Sequence, residues 1–488
     1  MGLKQKTLTG FIWTFAGSFG NGIVTLIVTM ILSRILTPYD FALIALLNVF
    51  LAISNVIVDS GFSQAIIRDD SPSQKDLSSV FYFNIILSCL IYIVLYFLAP
   101  QISAYYNAPE LTILSRVVFL VIIFNSFSII QNATLNRSLS FEVLNKSSII
   151  GSFIAALVSI IMAYVGFGIW ALVANSVLMP LIRGVLLWLY SNWRPINQFS
   201  FPSIKRYLGF GVFLMFQGII DAISTNLITL IIGKVYTKND LGYYSQGGKM
   251  DGYIVAPFTS IIQKVTYPIL SRIKDQEVRL KDACRQIVGV GMFVFIPLML
   301  FTITASENII VTFFGRQWIE AGIFLKIASF GAILFPLQNI FINVVMLKGK
   351  TKMMLKFAFI KQILRIFLLL VFIKKGVLVL ALVFSISTLI GSTLYITLGM
   401  SYLKYRLSEL CRDLYKAVFA SFICVGLVGI LGSILTELST YIVLIIQSFI
   451  MGISYIMISK ILNNLFLKES LLLIKQISNR IVTNENGF

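Results

Sequence analysis

Apolar residues run along this chain in long blocks, each close to the ~20 residues that a helix needs to cross hydrocarbon, and polar residues gather in the gaps. Hydropathy windows predict about fourteen spanning helices. They lie near residues 10–32, 41–58, 79–99, 114–134, 147–164, 168–190, 209–232, 242–268, 286–305, 321–347, 354–373, 377–399, 417–434 and 441–461. The pattern also repeats. "SRILTPYD" at 33–40 returns as "GKVYTKND" at 233–240, with Arg34 matched by Lys234, Thr37 by Thr237 and Asp40 by Asp240. Thr37 is a good N-cap, Pro38 suits the first helical position, and Asp40 sits where its carboxylate can return a bond to the cap. Each copy therefore predicts a helix start, not a catalytic group.

"YYNAPE" at 105–110, after the third span, is echoed by "FFGRQW" at 313–318, after the ninth, and the connections from Leu135 and Leu347 are alike. The expected organisation is an all-α integral membrane protein of two pseudo-symmetric six-helix lobes, 1–195 and 196–400. They are joined through "SNWRPINQFSFPSIKRY" at 191–207 and followed in 401–488 by two additional transmembrane helices and a cytoplasmic tail. Because six is even, both lobes start on the same side. That implies a pseudo-twofold axis along the membrane normal and a site between the lobes.

Composition agrees with the pattern: 58% hydrophobic and 12% charged residues fall outside the soluble range of about half apolar and a quarter charged. The net charge of +19 does not indicate nucleic acid, because the basic residues lie between the apolar runs and read as topology. With the N-terminus inside, segments such as "SRIKDQEVRLKDACR" and "KGKTKMMLK" collect most of the Lys and Arg on one side. Both termini are then cytoplasmic, with residues 100–112 and 306–320 outside. The first apolar run, Gly10 to Leu32, is longer than a signal-peptide core and ends in Ser-Arg, so it is expected to be retained.

Cys89, Cys284, Cys411 and Cys424 have no metal-ligand spacing and there is no histidine, so disulfides, metal sites, cofactors and histidine relays are not expected. "KGKT" at 348–351 looks like the end of a phosphate loop, but Val344 stands where the motif needs glycine. The acids form no clear catalytic pair, and no enzyme activity is expected.

Candidate site residues come from polar positions inside the spans. Thr14, Ser18, Asn21, Thr25 and Thr29 share one face of the first helix, and Gln217, Asp221, Thr225 and Thr229 form the matching stripe in the seventh. Threonines also serve dry helix packing, but an ionised Asp221 deep in a span needs a partner or water, which points to a hydrated cavity. Lys249 is expected about 18 Å along the eighth helix, too deep to reach the outer surface easily. It shares its side with Ser245, Gly248 and Gly252, and pairing with Asp221 or Asp251 is the bland alternative. Lys361 and Arg365, one turn apart, form a similar pair. Arg183, Lys264 and Lys326 lie nearer span ends.

"SRILTPYDFALIAL", "DSGFSQAIIR" at 59–68 and "FLAPQISAYYNAPEL" at 97–111, with "LGYYSQGGKM" at 241–250 and "YPILSR" at 267–272, resemble the polysaccharide-transport family of the multidrug, oligosaccharidyl-lipid and polysaccharide (MOP) flippase superfamily, closest to the O-antigen and colanic-acid type. The resemblance implies a two-lobed fold with a central cationic cavity that moves undecaprenyl-pyrophosphate-linked oligosaccharides across the bacterial inner membrane. Lipid-linked oligosaccharide, membrane lipids, and polysaccharide polymerase and chain-length machinery are then the partners. Related flippases often carry arginines within the first helix, whereas Arg34 lies at its outer end here.

A lipid-linked oligosaccharide has a polyprenyl tail that can stay in the bilayer, and a pyrophosphate and glycan that cannot cross hydrocarbon unaided. A few cations beside a Thr/Ser/Asn stripe match that chemistry. The alternatives are an ion-coupled exporter of organic cations with Asp221 as the binding acid, and a membrane-embedded polymerase or ligase, which a large outer loop with catalytic residues would favour.

Overall fold

The computed structural model describes residues 3–467 apart from 70 and 436, together with residue 469. The chain divides into two compact units, Met1–Ser245 and Gln246–Phe488. The first holds α1 (Leu3–Ile35), α2 (Pro38–Asp59), α3 (Phe62–Arg68) and α4 (Gln74–Tyr106). A span broken into α5 (Leu111–Val118), α6 (Leu120–Ser126) and α7 (Ile129–Arg137) follows, then α8 (Phe141–Tyr164), α9 (Trp170–Tyr190) and α10 (Phe201–Val235). α11 (Lys238–Arg272) begins there and continues into the second unit. That unit holds α12 (Glu277–Thr304), α13 (Ser306–Phe314), a 3-10 turn (Arg316–Trp318), α14 (Ala321–Ala332), α15 (Phe335–Leu347), α16 (Thr351–Val371), α17 (Val377–Leu403), α18 (Leu407–Ile434) and α19 (Thr440–Ile461).

Each expected span coincides with a helix or a broken helix. Among the described residues, eleven are long and apolar enough to cross a membrane by length and composition. The others are α1, whose described apolar stretch is Phe19–Ile35, and α11 and α16, which carry Lys249 and Asp251, and Lys361 and Arg365. In α16 the charges themselves, Lys356, Lys361 and Arg365, crowd the apolar stretch, and α11 is further diluted by Gly, Tyr, Ser and Gln.

The repeated motif does cap helices. At α2 the Asp40 N–H donates to Thr37 Oγ1 (3.4 Å) and the Thr37 N–H donates to Asp40 Oδ2 (2.9 Å). At α11 the same pair of bonds joins Thr237 and Asp240 at 3.1 and 3.2 Å. The fourth and tenth spans are both broken, α5–α7 and α14–α15, and they end in the same turn. Ser140 N–H donates to the Leu135 carbonyl (2.9 Å) and Lys350 N–H to the Val345 carbonyl (3.2 Å), with Leu139 (φ 58°) and Gly349 (φ 68°) left-handed. The connections from Leu135 and Leu347 thus share a backbone path. Packing sets α10 against α2, α3 and α4, and the boundary between compact units falls within α11, whereas the sequence reading expects the second lobe to begin at residue 196.

In the first unit the long connection after α9 is strapped to the start of α4. Ile196 N–H donates to Ser78 Oγ (3.0 Å), Ser200 N–H to Ser79 Oγ (2.8 Å) and Gln74 Nε2 to the Arg194 carbonyl (2.7 Å). Phe81 sits edge-on to Tyr82, Phe127, Trp188 and Trp193 beneath the strap. Tyr207 donates to Asp69 (2.7 Å), and this bond, with help from the Ser71 amide and Arg206, holds the Asp69 carboxyl below its ordinary value. That contribution is present at neutral pH and is lost as acid protonates Asp69.

In the second unit the additional helices are integral. α18 packs on α12, and α19 on α18 and α13. Arg285 grips Asp413 with two bonds (Nη2 to Oδ1 2.6 Å, Nε to Oδ2 2.8 Å) beside a Lys281–Glu409 pair at 2.8 Å.

Between α2 and α3 the backbone turns through Ser60 (φ 45°) and Gly61 (φ 71°). This turn lies directly on α10: a Cβ on Gly61 would sit 2.7 Å from Gly211 Cα, and one on Gly211 would sit 2.0 Å from the Ser60 carbonyl oxygen. Backbone must move to admit either methyl group. Gly61→Ala and Gly211→Ala should each lose roughly 1–3 kcal/mol, read as a lower thermal midpoint of detergent-purified protein. Gly209→Ala, whose Cβ meets nothing within 4 Å, should match the wild type or exceed it. Equal midpoints at 209 and 211 would disprove the contact.

Candidate functional site

The Gly61–Gly211 contact places the α2–α3 turn against α10 and leaves a cavity of about 740 Å³ within the first unit. Asp59, Gln64 and Arg68 line one side, Gln217 and Asp221 the other, and Asn55 also contributes. Gly218 allows α10 to come close, since a Cβ there would lie 2.8 Å from Val56 Cγ1. Asn55 Oδ1 accepts from Asn125 Nδ2 (3.1 Å), and Asp59 accepts from the Ser63 hydroxyl. The cavity thus collects two carboxylates, a guanidinium and three amides, a lining suited to hydroxyl-rich or charged groups.

Asp221 and Gln217 were candidates from the sequence; Asp59, Gln64 and Arg68 were not. They fall in the "DSGFSQAIIR" segment that carries the family resemblance. Their signal was two charges bracketing a Ser-Gly break, which is hard to separate from charges that simply mark a span end.

The stripe on α1 is used differently along its length. Asn21 Oδ1 accepts from Ser152 Oγ of α8 (2.8 Å). Thr25 and the buried Thr29 donate to the Asn21 and Thr25 carbonyls, each at 2.7 Å, so these hydroxyls satisfy their own helix. On α10, Thr225 is exposed like Asp221, and Thr229 is half-buried. The side chains of Thr14, Ser18 and Lys264 lie outside the described residues. Arg34 is exposed at the end of α1. Lys234 donates to the Tyr105 carbonyl (2.6 Å) with its ammonium 4.2 Å from the Tyr105 ring centre, which ties the α10 end to the α4 end. Arg183 donates to Asn132 Oδ1 (2.6 Å).

In the second unit α11 has two unlike sides. A Cβ on Gly247 would come within 2.8 Å of the Ala321 oxygen and Leu325 nitrogen of α14, whereas Gly248 and Gly252 face open space, with nothing within 4 Å. Lys249 is half-buried beside that open face. Asp251, on the packed side, accepts from Ser329 Oγ (2.8 Å), and the fully buried Gln246 side-chain amide has no hydrogen-bond partner among the described residues.

Lys361 and Arg365 both lie against α17. The Lys361 stem crosses Gly391, where a Cβ would meet its Cδ at 2.2 Å, and its ammonium is 5.8 Å from the Tyr395 ring centre. Arg365, 5% exposed, donates to Ser387 Oγ (3.3 Å) and Thr388 Oγ1 (3.0 Å) and stacks 4.4 Å from Phe384. Arg365 clamps two helices together, while Lys249 borders open space.

The model of a family described as "Polysaccharide biosynthesis protein" matches residues 31–323, more than half of the chain. Among curated relatives, the teichuronic acid biosynthesis protein TuaB of Bacillus subtilis is 22% identical over 71% of this chain and 72% of its own. The lipopolysaccharide biosynthesis protein WzxC of Escherichia coli is 24% identical over 75% and 74%. The succinoglycan biosynthesis transport protein ExoT of Rhizobium meliloti is 23% identical over 65% of each. Among solved structures, the lipid II flippase MurJ in an inward closed conformation is similar with a TM-score of 0.71 at 16% identity, covering 93% of this chain and 98% of that one. An inward-facing multidrug MATE family transporter of the MOP superfamily is similar at a TM-score of 0.61 and 13% identity, over 79% and 94%.

The two sides of α11 give a direct test. Gly247→Ala should cut membrane abundance and the thermal midpoint, because its methyl group meets α14 backbone. Gly248→Ala should leave both unchanged. The reverse order would show that α11 packs through its other side.

Proposed function

The chain belongs to the polysaccharide biosynthesis protein family, and from that premise we propose that it is a flippase for a lipid-linked oligosaccharide in the bacterial cytoplasmic membrane. The cargo moves from the inner to the outer leaflet by alternating access. The observation that carries this reading is the open face of α11, where Gly248 and Gly252 leave space beside Lys249. A helix that only packed would fill those positions with bulky apolar side chains. An ammonium bordering open space attracts an anionic pyrophosphate, and glycine supplies the room.

In the first unit the cavity lined by Asp59, Arg68, Gln217 and Asp221 offers donors and acceptors for glycan hydroxyls, with Asn21, Thr25 and Thr225 as further polar positions. Lys361, Arg365, Arg34 and Lys234 then serve mainly to fix helices and ends. The names of TuaB, WzxC and ExoT, and the MurJ fold, support a glycan cargo. One observation favours a second reading, the export of organic cations: two carboxylates, Asp59 and Asp221, line the same cavity.

Deleting the gene should cause full-length lipid-linked repeat units to accumulate on the cytoplasmic leaflet. Single units accumulating outside would mark a polymerase instead, and loss of drug resistance with normal polysaccharide would mark an exporter. In complementation with membrane abundance held equal, Lys249→Ala should abolish surface polysaccharide. Lys249→Arg should retain part of it, because charge is kept while shape changes. A fully active Lys249→Ala protein would remove the lysine from the mechanism.

The orientation proposed from the basic residues places both termini and Gln276 inside and Asn107 outside. An impermeant thiol reagent on intact cells should label Asn107→Cys and spare Gln276→Cys; the opposite pattern reverses the topology.

A further inference from the structure

A second polar cavity, of about 340 Å³, lies wholly in the second unit, between the ends of α12 and α13, α14 and the additional helices α18 and α19. Its floor is Gln447 of α19, which is only 2% exposed. Gln447 Oε1 accepts from Asn308 Nδ2 (3.0 Å), and its Nε2 donates to the Val428 carbonyl (3.2 Å). An amide amid "TYIVLIIQSFIMGISYIMISKI" is costly in a membrane unless partnered, and these bonds lock it in place. One wall is bare α18 backbone. A Cβ on Gly432 would come within 2.8 Å of the Gln447 amide nitrogen, and one on Gly429 would have only Thr304 Cγ2 nearby, at 3.9 Å.

Two opposite charges line this space, Glu307 of α13 and Lys326 of α14. Both are exposed, and among the described residues neither forms an ion pair with the other or with any other charged side chain. Unlike charges held apart around one cavity are the complement of a zwitterion. Lys326 lies about 8 Å along α14 from its start at 1.5 Å per residue, within the first two turns of a candidate span. The surrounding surface is apolar, with Ile323 at 39% and Ile430 at 59% exposure, so the polar pocket opens onto a face suited to lipid.

We propose that this cavity is a headgroup site for a zwitterionic phospholipid, with the phosphate on Lys326 and the ammonium on Glu307. The site is separate from the α11 face and the first-unit cavity, and it stands or falls independently of the cargo.

Native mass spectrometry of the full chain, delipidated and returned to equal phosphatidylethanolamine and phosphatidylglycerol, tests it. The wild type should retain the ethanolamine lipid in preference. Lys326→Gln and Glu307→Gln should each lower that retention about tenfold, the loss expected for one charge-assisted bond. Gly429→Leu, which fills the space without changing a charge, should abolish the preference at an unaltered thermal midpoint. Equal retention of the two lipids, or a preference surviving all three substitutions, would overturn the proposal. Displacement of the bound lipid by free phosphoethanolamine at millimolar concentration would reassign the pocket to a soluble zwitterion and would overturn it equally.

Discussion

Inside hydrocarbon a polar side chain cannot fall back on water, and this shortage constrains where charged and amide groups in both units stand. Two kinds of solution recur. Asp251 on Ser329, Arg365 on Ser387 and Thr388, Arg183 on Asn132 and Gln447 on Asn308 are held by protein. Asp59, Arg68 and Asp221 line a cavity large enough for solvent or cargo, Asp59 while also accepting from the Ser63 hydroxyl. The first kind locks helices together. The second kind is what a transporter needs, because a polar group on a cavity wall is within reach of a passing ligand.

The same division explains what could be seen before the structure. Spans were legible because length and hydropathy are properties of single helices, and so were the caps at Thr37 and Thr237, which need only residues three apart. Partnership is a property of two helices and was not. The α1 stripe has the spacing of one face, yet Thr25 and Thr29 donate to carbonyls of their own helix, while Asn21 accepts from Ser152 of α8. Lys234 reads as a match for Arg34, but its carbonyl and ring partner comes from 129 positions earlier in the chain. The breaks within the fourth and tenth spans, at Phe119, Phe127–Ser128 and Ile333–Leu334, escaped the hydropathy windows as well, since a tightened right-handed step leaves the apolar count unchanged.

Glycine shows how one residue type can carry opposite meanings at neighbouring positions. Gly247 is needed because α14 backbone occupies the volume of its missing side chain, while Gly248 faces nothing. Only the second kind creates room for a ligand. The additional helices follow the first pattern at Gly432, beside Gln447, and the second at Gly429, so the part of the chain beyond the repeat combines close packing with an opening.

The Gly61–Gly211 seam also bears on how the chain is made. Its two halves are 150 residues apart in sequence, and at a synthesis rate of about 5–20 residues per second the α2–α3 turn waits roughly 8–30 s for its backing. Through that interval a left-handed serine and glycine, with Asp59 and Arg68 beside them, stand without the helix that will cover them. The first unit cannot be completed in the order of its spans: early insertion must remain provisional until α10 emerges, and whatever shelters that turn in the meantime belongs to the biogenesis of the protein, not to its finished form.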